Sequence, residues 1–141
     1  YPMLKRILQA MDSQLRFVYR HFPLAETHPH ARIAAEASEA AGAQGSFWEM
    51  HDILYEHQNR LDQDSLMGYA RNLNLNEENF RRDLEEHTFA RLVEDEFMGG
   101  VRSGVNATPT FFINAERYDG PPEFDPLLAA LQQAGQETHR F

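Results

Sequence analysis

An α/β fold with a long helical middle is the class this sequence predicts, on three observations. Apolar residues recur at helical spacing through the first dozen positions, and a stretch rich in β-formers follows at residues 15–22. A succession of helical patterns then runs into an apolar strand with a hairpin signal near residues 110–120. With 141 residues, 42% of them hydrophobic and 11% aromatic, the chain fits one domain with a real core.

The elements follow in order. Met3, Leu4, Ile7, Leu8 and Met11 mark the first helix, with Pro2 tolerable only in its first turn. Leu15-Arg16-Phe17-Val18-Tyr19-Arg20-His21-Phe22 reads as a strand closed by Pro23. From Pro29 to about Gln44 the alanine-rich stretch has high helix propensity and side chains small enough for close packing, and Gly42 and Gly45 mark its end. Ser46 is placed as an N-cap, with Glu49 three residues later completing a capping box. The helix it opens turns Phe47, Met50, Ile53 and Leu54 inward.

Asp62 or Asp64 opens a further helix through Leu66, Tyr69, Ala70 and Leu73, and Asn76 with Asn79 and Phe80 begins a short one. A longer helix carries Phe89, Leu92, Val93 and Phe97 on one face and ends at Gly99-Gly100 or at Gly104. After Pro109 the strand Thr110 to Asn114 turns through Ala115-Glu116 into Arg117-Tyr118-Asp119-Gly120. Pro122 or Asp125-Pro126 starts a last helix through Leu127, Leu128 and Leu131. No internal repeat or low-complexity linker interrupts this order. Three strands joined this way make a poor sheet alone, because the first reaches the other two only through helices.

Composition excludes several functions. Thirteen basic against 22 acidic residues give a formal charge of −9, which argues against a nucleic-acid partner. Arg81-Arg82 reads as a solvated helix face. No apolar run approaches the ~20 residues of a membrane span, and the N-terminus lacks the layout of a signal peptide. Zero cysteines removes disulfides and thiolate metal sites, so the compartment stays open between cell envelope and cytoplasm.

No metal or cofactor is expected. Among the seven histidines, His28 and His30 flank a proline, and His51 and His57 are six apart rather than the four that share a helical face. They read as entry-turn and surface residues, with His51 half-buried beside Trp48 and Asp52. Glu85-Glu86 and Glu94-Asp95-Glu96 read as solvated acids, and Phe47, Trp48, Phe89, Phe97, Phe111 and Phe112 as core.

A set of short motifs, in order, carries a resemblance. These are Tyr1-Pro2 before an amphipathic helix, Arg20-His21-Phe22-Pro23-Leu24, and His28-Pro29-His30-Ala31 entering the alanine-rich helix. Ala41-Gly42-Ala43-Gln44-Gly45 then precedes Phe47-Trp48-Glu49-Met50-His51, and Ser103-Gly104-Val105 leads through Thr108-Pro109 to Asn114. Together they resemble the DsbA-like thiol-disulfide oxidoreductases, a branch of the thioredoxin superfamily with a helical insertion.

The resemblance implies a thioredoxin-like part at 1–24 and 104–141 with an inserted helical part at 25–103. It also implies a first central strand and a Cys-x-x-Cys motif upstream of Tyr1, absent from this chain. That strand would lie between the strands around Val18 and Phe112. The chain is therefore expected to be the C-terminal part of a longer polypeptide, the alternative being a redox-dead relative.

The implied activity is dithiol/disulfide exchange with protein substrates, which these residues alone cannot perform. The implied substrate-binding residues are Thr108 and Pro109, joined by a cis peptide bond that leaves the backbone open to an extended substrate. Phe22, Leu24 and Tyr118 are candidates for the rim of an apolar groove. Two rivals stand beside this reading: a peptide-binding or scaffold module of the same fold, and a glutathione-dependent isomerase relative with a serine in place of the first cysteine. A sheet edge left open could also recruit a strand from a second copy, giving a dimer or strand exchange.

Overall fold

The computed structural model describes residues 2–138. Helix α1 (Pro2–Met11) runs into a 3-10 turn (Asp12–Gln14) and an extended segment. Five helices follow: α2 (Ala31–Gly42), α3 (Phe47–Glu56), α4 (Gln63–Asn72), α5 (Glu77–Glu85) and α6 (Ala90–Arg102). The antiparallel hairpin β1 (Phe111–Ile113) and β2 (Glu116–Tyr118) then precedes α7 (Phe124–Thr138). The described residues form two compact units, one from Arg20 to Gly104 and the other from the residues on either side of it.

The Arg20–Gly104 unit is organised by α2. Ala34, Ala35, Glu36, Ala37, Ser38, Ala40 and Ala41 are all buried, so the helix is covered nearly all round. Small side chains let neighbouring backbones come close, and α3, α4, α5 and α6 all pack on it. Met50, Leu54, Leu66, Phe80 and Leu84 from three of these helices fill the space over the alanines. Helix starts are fixed locally. The Asp62 side chain accepts from Ser65 N–H at 3.2 Å and from Ser65 Oγ at 2.7 Å, which selects Asp62 over Asp64 as the α4 cap. Asn76 accepts from Asn79 N–H at 2.9 Å and caps α5. Its own N–H donates to Gln44 Oε1 at 2.8 Å, tying the end of α2 to the start of α5.

In the other unit α1 packs on α7 beneath the hairpin. Ile7, Met11 and Leu127 form the buried centre, with Leu4, Phe111, Ile113, Tyr118 and Leu131 against them. The Arg6 guanidinium sits 4.0 Å from the Phe124 ring centroid, a cation–π contact between the same two helices.

Several expectations are corrected. Leu15 is extended (φ −125°, ψ 125°), and burial alternates from Leu15 to Arg20, the period-2 signature of a strand. No strand is assigned there, and the described sheet consists of β1 and β2. Alternation decides which face each side chain takes, whereas a strand also needs a neighbour's backbone ladder. Ser46 is the α3 N-cap but makes no side-chain cap hydrogen bond, so the capping box with Glu49 does not form. The hairpin turns at Asn114-Ala115 rather than Ala115-Glu116: both have positive φ (49° and 70°), the arrangement of a type I′ turn whose twist suits paired strands.

Helix α6 continues through Gly99-Gly100 to Arg102, and Leu92 is 41% exposed while its neighbour Val93 is buried. Trp48 and Phe112, read as core, are 42% and 43% exposed. His51 is fully buried rather than half-buried.

Two outcomes are expected. Phe80→Ala should destabilise the chain by about 3–5 kcal/mol, because the ring is fully enclosed, whereas Leu92→Ala should stay within about 0.5 kcal/mol. Urea denaturation followed by circular dichroism measures both. The bonds from Ser65 hold the Asp62 carboxyl below its usual range, side-chain bond first and backbone bond next. A depressed folded value means that the cap contributes above the unfolded value and is lost as pH falls through the folded one. Amide exchange at Ser65 should therefore accelerate, relative to α5, as pH drops below about 4.

Candidate functional site

The surface best built for recognition is the loop of residues 105–110 and the strand that it feeds. Thr108 and Pro109 are exposed, and the peptide bond between them is cis. The loop is shaped from within: Thr110 Oγ1 donates to the Ala107 carbonyl at 2.6 Å, and Gly104 before it takes φ +83°, a conformation open to glycine without penalty. The chain then enters β1 directly. Phe111 and Ile113 turn toward the core of their unit, and Phe112 turns outward.

The hairpin register decides what β1 offers. A two-residue turn makes Ile113↔Glu116 the closing, hydrogen-bonded pair. Antiparallel pairs alternate, so Phe112↔Arg117 is the non-hydrogen-bonded pair and Phe111↔Tyr118 is hydrogen-bonded again. The N–H and C=O of Phe112 therefore point away from β2, toward the far edge of β1, where the described sheet has no strand. A further strand laid there meets a donor and an acceptor beside an exposed aromatic ring, three residues along the chain from Pro109.

Tyr118 belongs to the same unit as Thr108 and Pro109. It lies across from Phe111 and its hydroxyl donates to the Pro121 carbonyl at 2.8 Å. Its ring is half-buried on the α1–α7 core, so it supports the hairpin as much as it presents a surface. Gly120 makes room for it, since a Cβ there would fall 2.5 Å from the hydroxyl oxygen and 2.6 Å from Cζ.

Phe22 and Leu24 lie in the helical unit. Phe22 stacks on Phe97 of α6 with centroids 4.6 Å apart, a packing role that leaves it half-buried. The Leu24 carbonyl accepts from Thr27 N–H at 3.2 Å and His28 N–H at 2.8 Å, so that residue closes a turn.

The structure also contains polar anchors that sequence reading missed. His21 is buried. Its backbone N–H donates to Glu96 Oε2 at 2.7 Å, and its Nε2 lies 2.9 Å from Glu39 Oε1. Hydrogen bonds to charged groups contribute about 1.5–3 kcal/mol each, so this histidine fastens residues 20–24 to α2 and α6. Glu94 and Glu96 are accordingly more than solvated acids, Glu94 pairing with Arg32 at 2.5 Å. His51 sits within an aromatic group on α3, 5.2 Å from Trp48 and 4.7 Å from Tyr55 by ring centroids, with Asp52 Oδ1 at 3.5 Å from its Nδ1. His21 could not have been singled out by spacing, because its partners lie on other elements, whereas Trp48 and Asp52 beside His51 are the neighbours that the sequence gives it on the same helix. The described residues hold no cluster of three or more side chains able to take a metal ion, and no described helix is long and apolar enough to cross a membrane.

With this geometry in hand, comparison with known proteins gives a consistent result. Residues 3–133 match the family model described as Thioredoxin. A protein named Na(+)/H(+) antiporter NhaA 1 from Salinispora arenicola is 44% identical over 133 residues, covering 94% of this chain and 20% of that protein. The Na(+)/H(+) antiporter NhaA 3 of Salinispora tropica is 41% identical over 133 residues with the same coverage. The Na(+)/H(+) antiporter NhaA of Herminiimonas arsenicoxydans is 40% identical over 124 residues, 88% of this chain and 20% of its own length. The chain thus spans about a fifth of the length of these curated relatives. No solved structure matches.

The packing of Tyr118 gives a direct check on the loop's support. Gly120→Ala should displace the ring, break the hydroxyl bond to Pro121 and destabilise the hairpin unit by about 1–3 kcal/mol. Thermal unfolding read out by near-ultraviolet circular dichroism would register the loss, and an unchanged midpoint would contradict the contact.

Proposed function

The chain belongs to the thioredoxin family, and from that premise we propose that it is the substrate-holding portion of a DsbA-like thiol-disulfide oxidoreductase. The observation that carries the reading is the exposed Thr108-Pro109 loop that feeds straight into β1. An unfolded protein segment would lie extended along that loop with its backbone on Thr108, while the outward N–H and C=O of Phe112 are left for the first central strand of the family fold. Thr108 and Pro109 border the reacting sulfur, and Tyr118 holds the hairpin in shape.

The cysteine pair is supplied by residues outside this chain, which has none. In the exchange, a substrate thiolate attacks one sulfur of the pair's disulfide and the partner sulfur leaves as thiolate. The second substrate thiolate then attacks the mixed disulfide, so one disulfide forms as the other is reduced. No external oxidant enters that step.

A second reading is a peptide-binding module without redox chemistry. It is favoured by the absence of cysteine and by the relatives, in which the matching region is about a fifth of proteins named as antiporters. On this reading the same loop holds an extended segment of a transporter polypeptide or its partner, with no exchange.

The discriminating experiment presents a cysteine-containing unfolded peptide to the full natural polypeptide. The oxidoreductase reading expects a mixed disulfide trapped by alkylation, and backbone resonance shifts at Ala107 and Thr108. Thr108→Pro removes the exposed N–H of Thr108 from the loop. It should weaken peptide binding by at least about tenfold. Binding without a trapped disulfide favours the module. Absence of shifts along the loop would sink both readings.

A further inference from the structure

We propose that the helical unit carries a second site, a binding pocket for a small organic cation: a primary ammonium on a compact apolar body. The pocket is a cavity of about 330 Å³ between α2 and the start of α6. Ile33, Ala90 and Val93 give it apolar walls, and Glu36, Arg32 and His87 bring charge to it. Its size sits at the lower end of the range of small-molecule sites, enough for one ring or a short alkyl chain.

Glu36 is the feature that points to a ligand. It is 5% exposed, on the most buried helix of the unit, and lines the cavity. A carboxylate there can accept about four hydrogen bonds. Its one partner among the described residues is His87, whose Nδ1 lies 3.0 Å from Glu36 Oε1 with the imidazole N–H donating. The second oxygen, Oε2, makes no hydrogen bond to any described residue. Oε2 is not among the enclosed atoms that lack a partner, so it opens onto the cavity, where a donor of opposite charge can reach it.

The neighbouring charges select the sign of the ligand. Arg32 is one helical turn from Glu36, but its guanidinium is committed to Glu94 at 2.5 Å and stands half-exposed at the rim. That pairing leaves the Glu36 carboxylate as the charge the cavity presents. An ammonium supplies three donors and a full positive charge, so it can satisfy Oε2 in a charge-assisted bond. A metal ion is a poorer fit, because the described residues place no third metal-ligating side chain beside Glu36 and His87.

His87 is the movable part. It is an exposed residue at positive φ (51°) in the turn between α5 and α6, with its side chain 64% exposed. It covers Glu36 when the pocket holds no cation and competes with one for the same carboxylate.

The test is a titration of the whole chain with benzylammonium, and separately with neutral benzyl alcohol of the same size, followed by amide shifts and calorimetry. Benzylammonium should bind with a Kd on the order of 1 mM, shifting Ile33, Ala90 and Val93. The alcohol should bind at least about tenfold more weakly. Glu36→Gln should cost the cation the same factor, and His87→Ala should leave its binding equal or tighter. Should Glu36→Gln fail to fold by circular dichroism, Ala90→Leu fills the cavity with the carboxylate retained, and binding should vanish. A parallel titration with acetyl-lysine amide separates the two sources of such a cation, since its binding points to a partner's lysine and its failure beside benzylammonium binding to a free amine. Equal binding of alcohol and ammonium, undiminished binding to Glu36→Gln or Ala90→Leu, or no shifts at tens of millimolar would each overturn the site.

Discussion

Close approach to α2 is the constraint on which the helical unit depends. Five buried alanines leave its surface nearly smooth, so α3, α4, α5 and α6 can all settle against one helix. A larger residue at Ala37, Ala40 or Ala41 would have to displace a neighbouring helix, because none of the three has any exposed surface. The bulky members of the core come from the surrounding helices, as Met50, Leu66 and Phe80, and they fill what the alanines leave.

The same helix supplies the polar groups that give the unit its specificity. Within four residues α2 presents Glu36 to the cavity, Ser38 to its own backbone at Ala35 O, 2.7 Å away, and Glu39 to the buried His21. One buried helix thus fixes the course of residues 20–24 through His21 and shapes a charged cavity on another side. An alanine helix with these buried polar groups is a packing hub with directional contacts, which apolar burial alone would not provide.

The unit built from the two ends of the described chain works by different means. Its core is small, α1 against α7 with a short hairpin over them, and shape is set by backbone details. The type I′ turn at Asn114-Ala115 fixes register, register fixes which Phe112 groups face outward, and Gly120 admits the Tyr118 ring. A slip of one residue would turn Phe112 inward and its outward backbone groups onto β2.

Most helices were legible in the sequence because local chemistry sets them: apolar spacing in α1, alanine propensity in α2, and Asn76 and Asp62 as caps. The Thr108-Pro109 loop and its strand were legible from motif order, and membership in the thioredoxin family accords with that reading. The Leu15–Arg20 alternation shows where local information stops, for it gave the faces of the segment, yet among the described residues no strand forms there. The roles of His21, Glu96 and Glu36 were decided by tertiary structure alone. Their partners lie 75, 18 and 51 residues away in the pairs His21–Glu96, His21–Glu39 and Glu36–His87, and no spacing rule reaches across helices whose packing is set by the whole core.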